Sequence, residues 1–535
     1  MLRSGASPVL AAAGFEADSR TRGESAPPAL VAAAAVSAGL VILPILVTLI
    51  QALGVNPSSA ARLLFRPLVG RLLVNTIGLV TAASLTCAFI GASVAWLIER
   101  TDCPGRRAWA VLAAAPLAIP PFISSFAWVS LSHDLQDFAG ALLVVTCAYF
   151  PLVYLPVAAA LRGLDPALEE SARSLGHGPW MTFVRVIAPQ MRPALYGGML
   201  MVALDTLIEF GAFSLLRFRT FTTELYAQYR TGLDGPESSL LALVLLALCL
   251  VCVVGEARAR GAARYARIGP GARRRAAPLR LGWMRWPAFA ALAALALVTI
   301  GVPLGMIAYW LTQHATDATS PQAFSWPALA SATLASVGYG LCGAAAALVL
   351  AAPLGYLATR YPGRLSSVLE RSAYFAQGAP AIVVALAFIS LTVQLLRPFY
   401  QSAALLVVVY AILFLPFALV AVRAALMQIP RRLEEAGRSL GLGWVGVTAR
   451  VIAPIAAPGL GAGAAIVFVF VATELTATLL LAPIGTRTLA TEVWANTSAL
   501  AFAAAAPFAA TLLVLSLAST WFLARRYSGI SSDAV

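Results

Sequence analysis

The chain has 535 residues, of which 60% are hydrophobic and 11% are charged, and its mean hydropathy is +0.84. No soluble protein of this size tolerates that composition, so we predict an all-α polytopic membrane protein. The net charge of +14 comes from arginine, because the sequence contains no lysine. A phosphate-binding GxxxxGK[ST] loop needs a lysine, which excludes that ATPase motif from this chain.

Apolar runs long enough to cross a hydrocarbon core of about 30 Å predict about twelve transmembrane helices, six in each half of the chain. They lie at 29–53, 73–98, 109–131, 138–161, 194–216, 238–256, 287–312, 329–357, 368–394, 402–426, 459–482 and 498–523. This spacing predicts a tail at 1–28, a first module at 29–256, a linker at 257–286, a second module at 287–524 and a tail at 525–535.

One polar stretch occurs twice, at 169–193 and at 434–458, with an offset of 434 − 169 = 265. The copies begin EESARSLGHG and EEAGRSLGLG, and both contain an RVIAP segment. Glutamates, arginines, glycines and prolines keep this register over a long distance, so the chain is predicted to contain two copies of one module. Because each half has an even number of spans, the two repeats are expected to be parallel.

The local chemistry of the repeated stretch predicts a short helix, a turn and a second short helix. Asp165 is expected to cap the first helix, which starts at Pro166. Glu169 precedes Arg173 by four residues, as Glu434 precedes Arg438, which favours ion pairs on the helix face. Gly176 and Gly441 are predicted to end these helices in a left-handed turn. The second short helices are expected to end at Pro189 and Pro454.

This duplicated stretch resembles the EAA loop of permease subunits of bacterial ABC importers, with the loops at 162–193 and 427–458. The positions of the family's two alanines hold Glu170 and Ser171 in the first copy, and Glu435 and Ala436 in the second. The resemblance implies the type I importer permease fold and a coupling helix that docks on an ATPase subunit. The predicted coupling residues are Glu169, Glu170, Arg173, Gly176, Glu434, Glu435, Arg438 and Gly441.

The distribution of arginine predicts the orientation of the chain. With the N-terminus inside, 29 of the 37 arginines fall in inner segments, nine of them in the linker. The positive-inside rule then places both termini, the linker and both repeated loops in the cytoplasm. The basic linker is interpreted as a topogenic tether, although its arginines also suit anionic lipid headgroups.

Acidic residues are rare in the predicted spans. Asp205 and Glu209 lie in the fifth span and Glu474 in the eleventh, and Glu209 and Glu474 again differ by 265. Ionisable groups at membrane depth usually face a cavity or a polar partner. We therefore predict that the three carboxylates line a pathway or its gate, with a structural hydrogen bond or ion pair as the alternative.

A second repeated pattern lies in the loops that follow Glu209 and Glu474. Each loop has hydroxyl residues, then a carboxylate and an aromatic side chain, namely Glu224 with Tyr226 and Glu492 with Trp494. Aromatic residues anchor well at a membrane interface, so these four residues are predicted to form a docking surface.

The chain resembles, more narrowly, permeases of the ferric iron importer family. Five segments carry this likeness, at 117–122, 209–211, 220–226, 474–481 and 488–494. The resemblance implies that a periplasmic binding protein delivers ferric iron to this chain. It also implies two copies of a cytoplasmic ATPase subunit that bind ATP and Mg, with no cofactor or metal held by the chain itself.

Neither the histidines nor the cysteines predict a metal site or a disulfide framework. His133, His177 and His314 are far apart in sequence and are interpreted as ordinary loop residues, and Cys249 and Cys252 as apolar packing residues. All six cysteines lie in apolar spans or predicted inner loops.

The predicted function is an importer permease in the bacterial inner membrane, embedded in the lipid bilayer, without enzymatic activity and without a nucleic-acid partner. A thiamine, sulfate or phosphonate permease is the nearest alternative, since some of these resemble this layout. An ion-coupled secondary transporter is a more distant one. An intramembrane enzyme is disfavoured, because the spans show no clustered catalytic residues.

Overall fold

The computed structural model describes residues 26–231, 235–261, 278–313, 325–375 and 378–532. Most of the predicted tail at 1–28 and most of the predicted linker at 257–286 therefore lie outside the described residues. His314 lies outside them as well.

The described residues form helices joined by short turns. In the first half these are α1 (Pro28–Leu53), α2 (Pro57–Leu64), α3 (Pro67–Arg100), α4 (Arg106–Ala114), α5 (Pro121–Leu131), α6 (Phe138–Gly163), α7 (Pro166–Ser174), α8 (Pro179–Thr182), α9 (Ala188–Ile208), α10 (Gly211–Leu215), α11 (Phe221–Arg230) and α12 (Gly235–Gly261). In the second half they are α13 (Arg285–Ala296), α14 (Val302–Thr312), α15 (Trp326–Arg360), α16 (Arg364–Phe375), α17 (Ala381–Leu395), α18 (Ala403–Met427), α19 (Arg431–Ser439), α20 (Trp444–Val447), α21 (Ala453–Ala472), α22 (Thr476–Leu481), α23 (Leu489–Ser498) and α24 (Phe502–Ser532).

Within the described ranges, nine helices are long and apolar enough to cross a membrane. A further apolar helix pair, Arg106–Ala118 with Pro121–Leu131, is bent by 91°, a geometry that fits either a broken span or a re-entrant loop. The predicted spans at 194–216 and 368–394 are also interrupted, between α9 and α10 and between α16 and α17. Proline and short polar breaks therefore divide spans that the hydropathy pattern predicted as continuous.

Two predicted boundaries differ from the structure. The helix after the first repeated turn does not end at Pro189. A π-turn at Phe183–Ile187 joins α8 directly to α9, and Pro189 occupies the first turn of α9, where its missing N–H costs little. The second copy is built in the same way, with a π-turn at Thr448–Ile452. At the C-terminus, α24 continues to Ser532, beyond the predicted start of the tail.

The first helical crossing of each half packs on the other half. Helix α1 contacts α15, α16 and α17, whereas α14 contacts α5 and α24. One apolar core therefore joins α1 to α15 and α17, and the other joins α14 to α5 and α6. The two modules are interlocked and do not lie side by side as separate bundles.

Small residues set the closest helix contacts. A Cβ on Gly198 of α9 would lie 2.8 Å from the Val153 Cα and 2.9 Å from the Leu152 carbonyl oxygen of α6. Gly463, which follows Gly198 by 265 residues, packs equally tightly on Ala421 of α18. Close approach of backbones through glycine is the usual way in which membrane helices associate.

We predict that Gly198→Ala destabilises the protein by about 1–3 kcal/mol, because the added methyl group meets backbone atoms that cannot move independently. Thermal unfolding of the purified protein in detergent measures the effect. Gly197→Ala is the matched control, since nothing lies within 4 Å of its Cβ position and the second copy already has Ala462 there. Equal melting temperatures for the two variants would contradict this packing.

Candidate functional site

Residues 162–193, which the sequence predicts to contact an ATPase, are called the first coupling loop, and they present helix α7 at one end of the helix bundle. The Asp165 carboxylate accepts a hydrogen bond from the Ala167 N–H at 3.0 Å, and Pro166 is the first helical residue, as predicted. At the other end Gly176 has φ +85°, and the N–H groups of Gly176 and His177 donate to the carbonyls of Arg173 and Ala172. This is a Schellman turn, and it requires a residue that adopts a left-handed conformation without strain.

The second coupling loop (residues 427–458) repeats this turn after helix α19. Gly441 has φ +84°, and the N–H groups of Gly441 and Leu442 donate to the carbonyls of Arg438 and Gly437. Nothing lies within 4 Å of the Cβ position of Gly176 or Gly441. Backbone conformation and not crowding therefore requires glycine at both sites.

Neither predicted ion pair within a coupling helix forms a salt bridge, although Glu434 lies within electrostatic reach of Arg438. Glu169 is 6% exposed and forms a salt bridge with Arg100, the last residue of α3. Its carboxylate points into the protein, whereas Arg173 lies on the exposed face of α7. The guanidinium of Arg100 also lies over the Trp96 ring at 5.7 Å. Glu169 therefore anchors the coupling helix to a long membrane helix.

Glu434 is anchored in the same manner, with more partners. It is 4% exposed, forms a salt bridge with Arg360 at the end of α15 and accepts a hydrogen bond from the Tyr356 hydroxyl at 2.8 Å. Arg360 also donates to the Ile429 carbonyl at 2.9 Å. Because each ion is paired in a buried site, loss of one partner would leave an uncompensated charge, which costs about 3–5 kcal/mol.

The exposed face of each coupling helix carries the remaining predicted residues. Glu170, Arg173, Glu435 and Arg438 are exposed, as are the apolar side chains of Leu175 (78%) and Leu440 (84%). Partial burial lowers the pKa of Arg438, but its interactions with Tyr361, Tyr356 and Glu434 raise that pKa overall. Each loop therefore presents exposed apolar side chains beside charged residues, and these include Trp180 and Val445 of the second short helices.

Sequence reasoning missed Arg100, Arg360 and the two exposed leucines as site residues. A signal for the arginines was present, since each is the last residue of a long apolar helix that precedes a Pro-Gly turn. The leucines keep the offset of 265 and stand directly before the turn glycines.

The predicted pathway glutamates mark the far ends of α9 and α21 from the coupling loops. Glu209 follows the last residue of α9, and its carboxylate accepts hydrogen bonds from the Ala212 N–H (2.8 Å) and the Tyr149 hydroxyl (2.9 Å). Glu474 accepts from the Ala477 N–H at 3.0 Å. Each carboxylate therefore caps the short helix that follows it. The structural hydrogen bond, which the sequence offered as the alternative to a pathway role, is present. Asp205 is half-buried one turn before Glu209.

The two halves meet beside these glutamates. A Cβ on Gly211 would lie 2.9 Å from Leu475 of the other half, and Glu209 lies within electrostatic reach of Glu474. The Trp494 indole donates to the Ser214 hydroxyl at 2.8 Å, which joins α23 to α10. The repeated breaks thus face each other where the two halves meet. This junction, between the two parallel repeats, is called the pseudo-twofold axis.

The aromatic residues predicted to form a docking surface lie at this same junction. The ring centroids of Tyr226 and Trp494 are 5.9 Å apart, and Phe210 lies 4.8 Å from Tyr226. Glu224 is half-buried, whereas Glu492 is only 8% exposed and contacts Arg487 and Asn496. The expectation that all four side chains lie at the surface is therefore not met for Glu492. The Tyr226–Trp494 pair lies where the two halves meet and covers the axis.

A cavity of about 310 Å³ lies between α1, α11, α12 and α17. Its wall is mainly apolar but includes Gln51, Ser239, Ser390 and Gln394, with the Ser239 hydroxyl donating to the Gln51 amide oxygen at 2.8 Å. Around the corresponding helices α14, α5 and α24, aromatic side chains pack together, with the Trp310 and Phe502 ring centroids 5.4 Å apart. The two halves are therefore not chemically equivalent.

Within the described ranges, no group of three or more His, Cys, Asp and Glu side chains lies close enough to hold a metal ion. The six cysteines, all of them described, are free thiols. The described site therefore consists of two loops anchored by buried salt bridges at one end of the bundle and two capped helix breaks at the other.

Comparison with known proteins identifies related chains. Residues 40–259 and 351–527 match the family described as binding-protein-dependent transport system inner membrane component. The chain is 35% identical over 487 residues to the Fe(3+)-transport system permease protein FbpB 2 of Haemophilus influenzae, which covers 91% of this chain and 96% of that protein. Identity is lower with the sulfate transport permease CysT of Escherichia coli (28%, 32% of this chain and 68% of that protein). It is lower also with the molybdenum transport permease ModB of the same organism, at 26% identity over 30% of this chain and 80% of that protein.

Both family matches include one coupling loop and one of the glutamate breaks described above. The fold, the duplication and a relative aligned over nearly its whole length therefore agree, and the chain belongs to the family of inner-membrane permease components of binding-protein-dependent ABC importers.

Proposed function

We propose that this chain is the complete membrane pathway of an importer that moves ferric iron into the cytoplasm, powered by two copies of a separate ATPase subunit. The observation that supports ferric iron as the cargo is the alignment with a ferric iron permease over 96% of that relative. The sulfate and molybdenum permeases align with only about a third of this chain, which supports them less.

The proposed complex has one ATPase subunit on each coupling loop and a periplasmic binding protein on the opposite side. Leu175 and Leu440 supply the apolar contact with a groove of the ATPase, and the exposed arginines and glutamates orient it. ATP and Mg are bound by the ATPase subunits, and this chain holds neither. The predicted orientation, with the coupling loops and both termini in the cytoplasm of the inner membrane, is part of this proposal.

The anchored glutamates explain how movement of an ATPase reaches the pathway. Glu169 ties α7 to the end of α3, and the π-turn joins the same loop to α9 without a break. Helix α9 has 21 residues and therefore spans about 31 Å, from the coupling loop to the break at Glu209. A displaced coupling loop consequently moves the far end of α9 as a rigid element.

Closure of the ATPase dimer is proposed to draw the two coupling loops together and to separate the breaks at Glu209 and Glu474. The aromatic pair Tyr226 and Trp494, which covers the axis here, then opens the pathway to the binding protein. Such a switch requires that ATP binds the two states with different affinity. Specificity for ferric iron belongs mainly to the binding protein.

The cargo is tested by uptake in cells that contain the permease with its ATPase and binding protein. We expect uptake of radioactive ferric iron to depend on the permease, and uptake of radioactive sulfate or thiamine to be independent of it. Dependence of sulfate or thiamine uptake alone would assign the chain to the alternative cargo.

We predict that Gly176→Val with Gly441→Val abolishes copurification of the ATPase. A β-branched residue at φ near +85° costs at least about 1–2 kcal/mol and displaces the exposed leucine before it. Gly178→Val with Gly443→Val is the matched control in the same loops, because neither glycine has a positive φ and both have open space at Cβ. A stoichiometric complex in the first variant argues against ATPase docking at these turns.

Replacing Glu209 and Glu474 by glutamine is predicted to lower iron uptake about tenfold, equivalent to about 1.4 kcal/mol. Glutamine keeps an oxygen for the Ala212 and Ala477 N–H groups. It removes the charge and, at position 209, replaces the oxygen that accepts from the Tyr149 hydroxyl with an amide donor. The paired alanine variants also remove the cap. Normal uptake in the glutamine variant with loss in the alanine variant, at equal permease levels, would show that the carboxylates serve only as caps.

A further inference from the structure

Residues 278–281, which lie immediately before helix α13, form an extended segment that we call the linker clamp. Its backbone pairs with the turn after α3 through a parallel bridge between Leu279 and Thr101. The Leu279 N–H donates to the Arg100 carbonyl at 2.8 Å, and the Asp102 N–H donates to the Leu279 carbonyl at 3.1 Å. The Leu281 N–H donates to the Asp102 carboxylate at 2.8 Å.

The clamp therefore holds the residue that anchors the first coupling helix. Arg100 is the last residue of α3, so its carbonyl has no partner within the helix and requires one from elsewhere. Its side chain forms the buried salt bridge with Glu169. A fixed backbone at Arg100 directs the guanidinium toward that carboxylate.

The second half satisfies the same carbonyl in a different way. The guanidinium of Arg431, the first residue of α19, donates to the Arg360 carbonyl. The residue that precedes Arg431 by 265 is Pro166, whose ring has no hydrogen-bond donor. The linker clamp thus supplies, from the main chain, the donor that the first coupling helix lacks.

We infer that residues 278–281 are part of the first coupling site, and that the two coupling sites are positioned by different devices: the linker clamp in the first half and Arg431 in the second. Leu279 and Asp102 are positioning residues for the Arg100–Glu169 pair. The inference rests on the proposed function, since it concerns how firmly each ATPase subunit is held.

The test measures thiol labelling of a single cysteine at Ser174 or Ser439, which stand directly before the two exposed leucines, in a chain whose six native cysteines are replaced by alanine. Both serines are exposed in the permease, and cysteine in their place leaves the leucines intact. The purified complex with its ATPase is treated with a maleimide reagent, and the labelling rate is compared with that of the permease alone. In the parent chain both positions should be protected by the ATPase.

Leu279→Pro removes the N–H that donates to Arg100. We expect it to raise labelling of Ser174→Cys to the rate measured without ATPase, while Ser439→Cys stays protected. Arg431→Ala should have the reverse effect. Arg280→Ala is the matched control within the clamp, since its side chain is exposed, and it should leave both positions protected.

A second pair of variants covers the case in which proline disrupts folding. Asp102→Ala removes the acceptor for the Leu281 N–H and should also expose Ser174→Cys. Asp102→Asn keeps an acceptor oxygen and should restore protection. Equal effects on both coupling sites, or no effect on either, overturn the inference. Absence of protection in the parent chain would instead overturn the proposed docking of the ATPase.

Discussion

The buried pairing of a coupling-helix glutamate with an arginine at the end of a long membrane helix is the constraint on which the rest of the structure depends. Arg100 with Glu169 and Arg360 with Glu434 place each loop against α3 or α15 and leave its outer face exposed. Because both charges are buried, the loop cannot swing away without a large electrostatic cost. The loop and the membrane helix therefore move together, which is what mechanical coupling requires.

Much of this architecture was predictable from the sequence, because lipid imposes a simple rule on every span. The helical turns at Gly176 and Gly441 were also predictable, since glycine chemistry there is local. The salt-bridge partner of Glu169 was predicted wrongly, because Arg173, four residues away, is the nearest arginine in the sequence. The true partner, Arg100, becomes a neighbour only after the helices pack. The breaks at Glu209 and Glu474 were hidden for a related reason: a glutamate that caps a short helix inside a span does not interrupt the apolar run.

Duplication did not produce two equivalent halves. The first coupling helix begins with proline and relies on the backbone of residues 278–281, whereas the second begins with Arg431, which makes the equivalent contact itself. A cavity with several polar side chains in its wall, beside α1 and α17, likewise corresponds to packed aromatic side chains beside α14 and α5. Fusion of the two modules in one chain allows such divergence, since each half always meets the same partner.

The interlocked first helices also have a consequence for how the protein is made. Helix α1 leaves the ribosome first, yet its packing partners α15, α16 and α17 lie roughly 300 residues later in the chain. At about 5–20 residues per second, α1 remains without these neighbours for roughly 15–60 s of translation. During that interval its exposed face must be covered by lipid or by the insertion machinery, and the two bundles close around each other only when synthesis of the second is nearly complete.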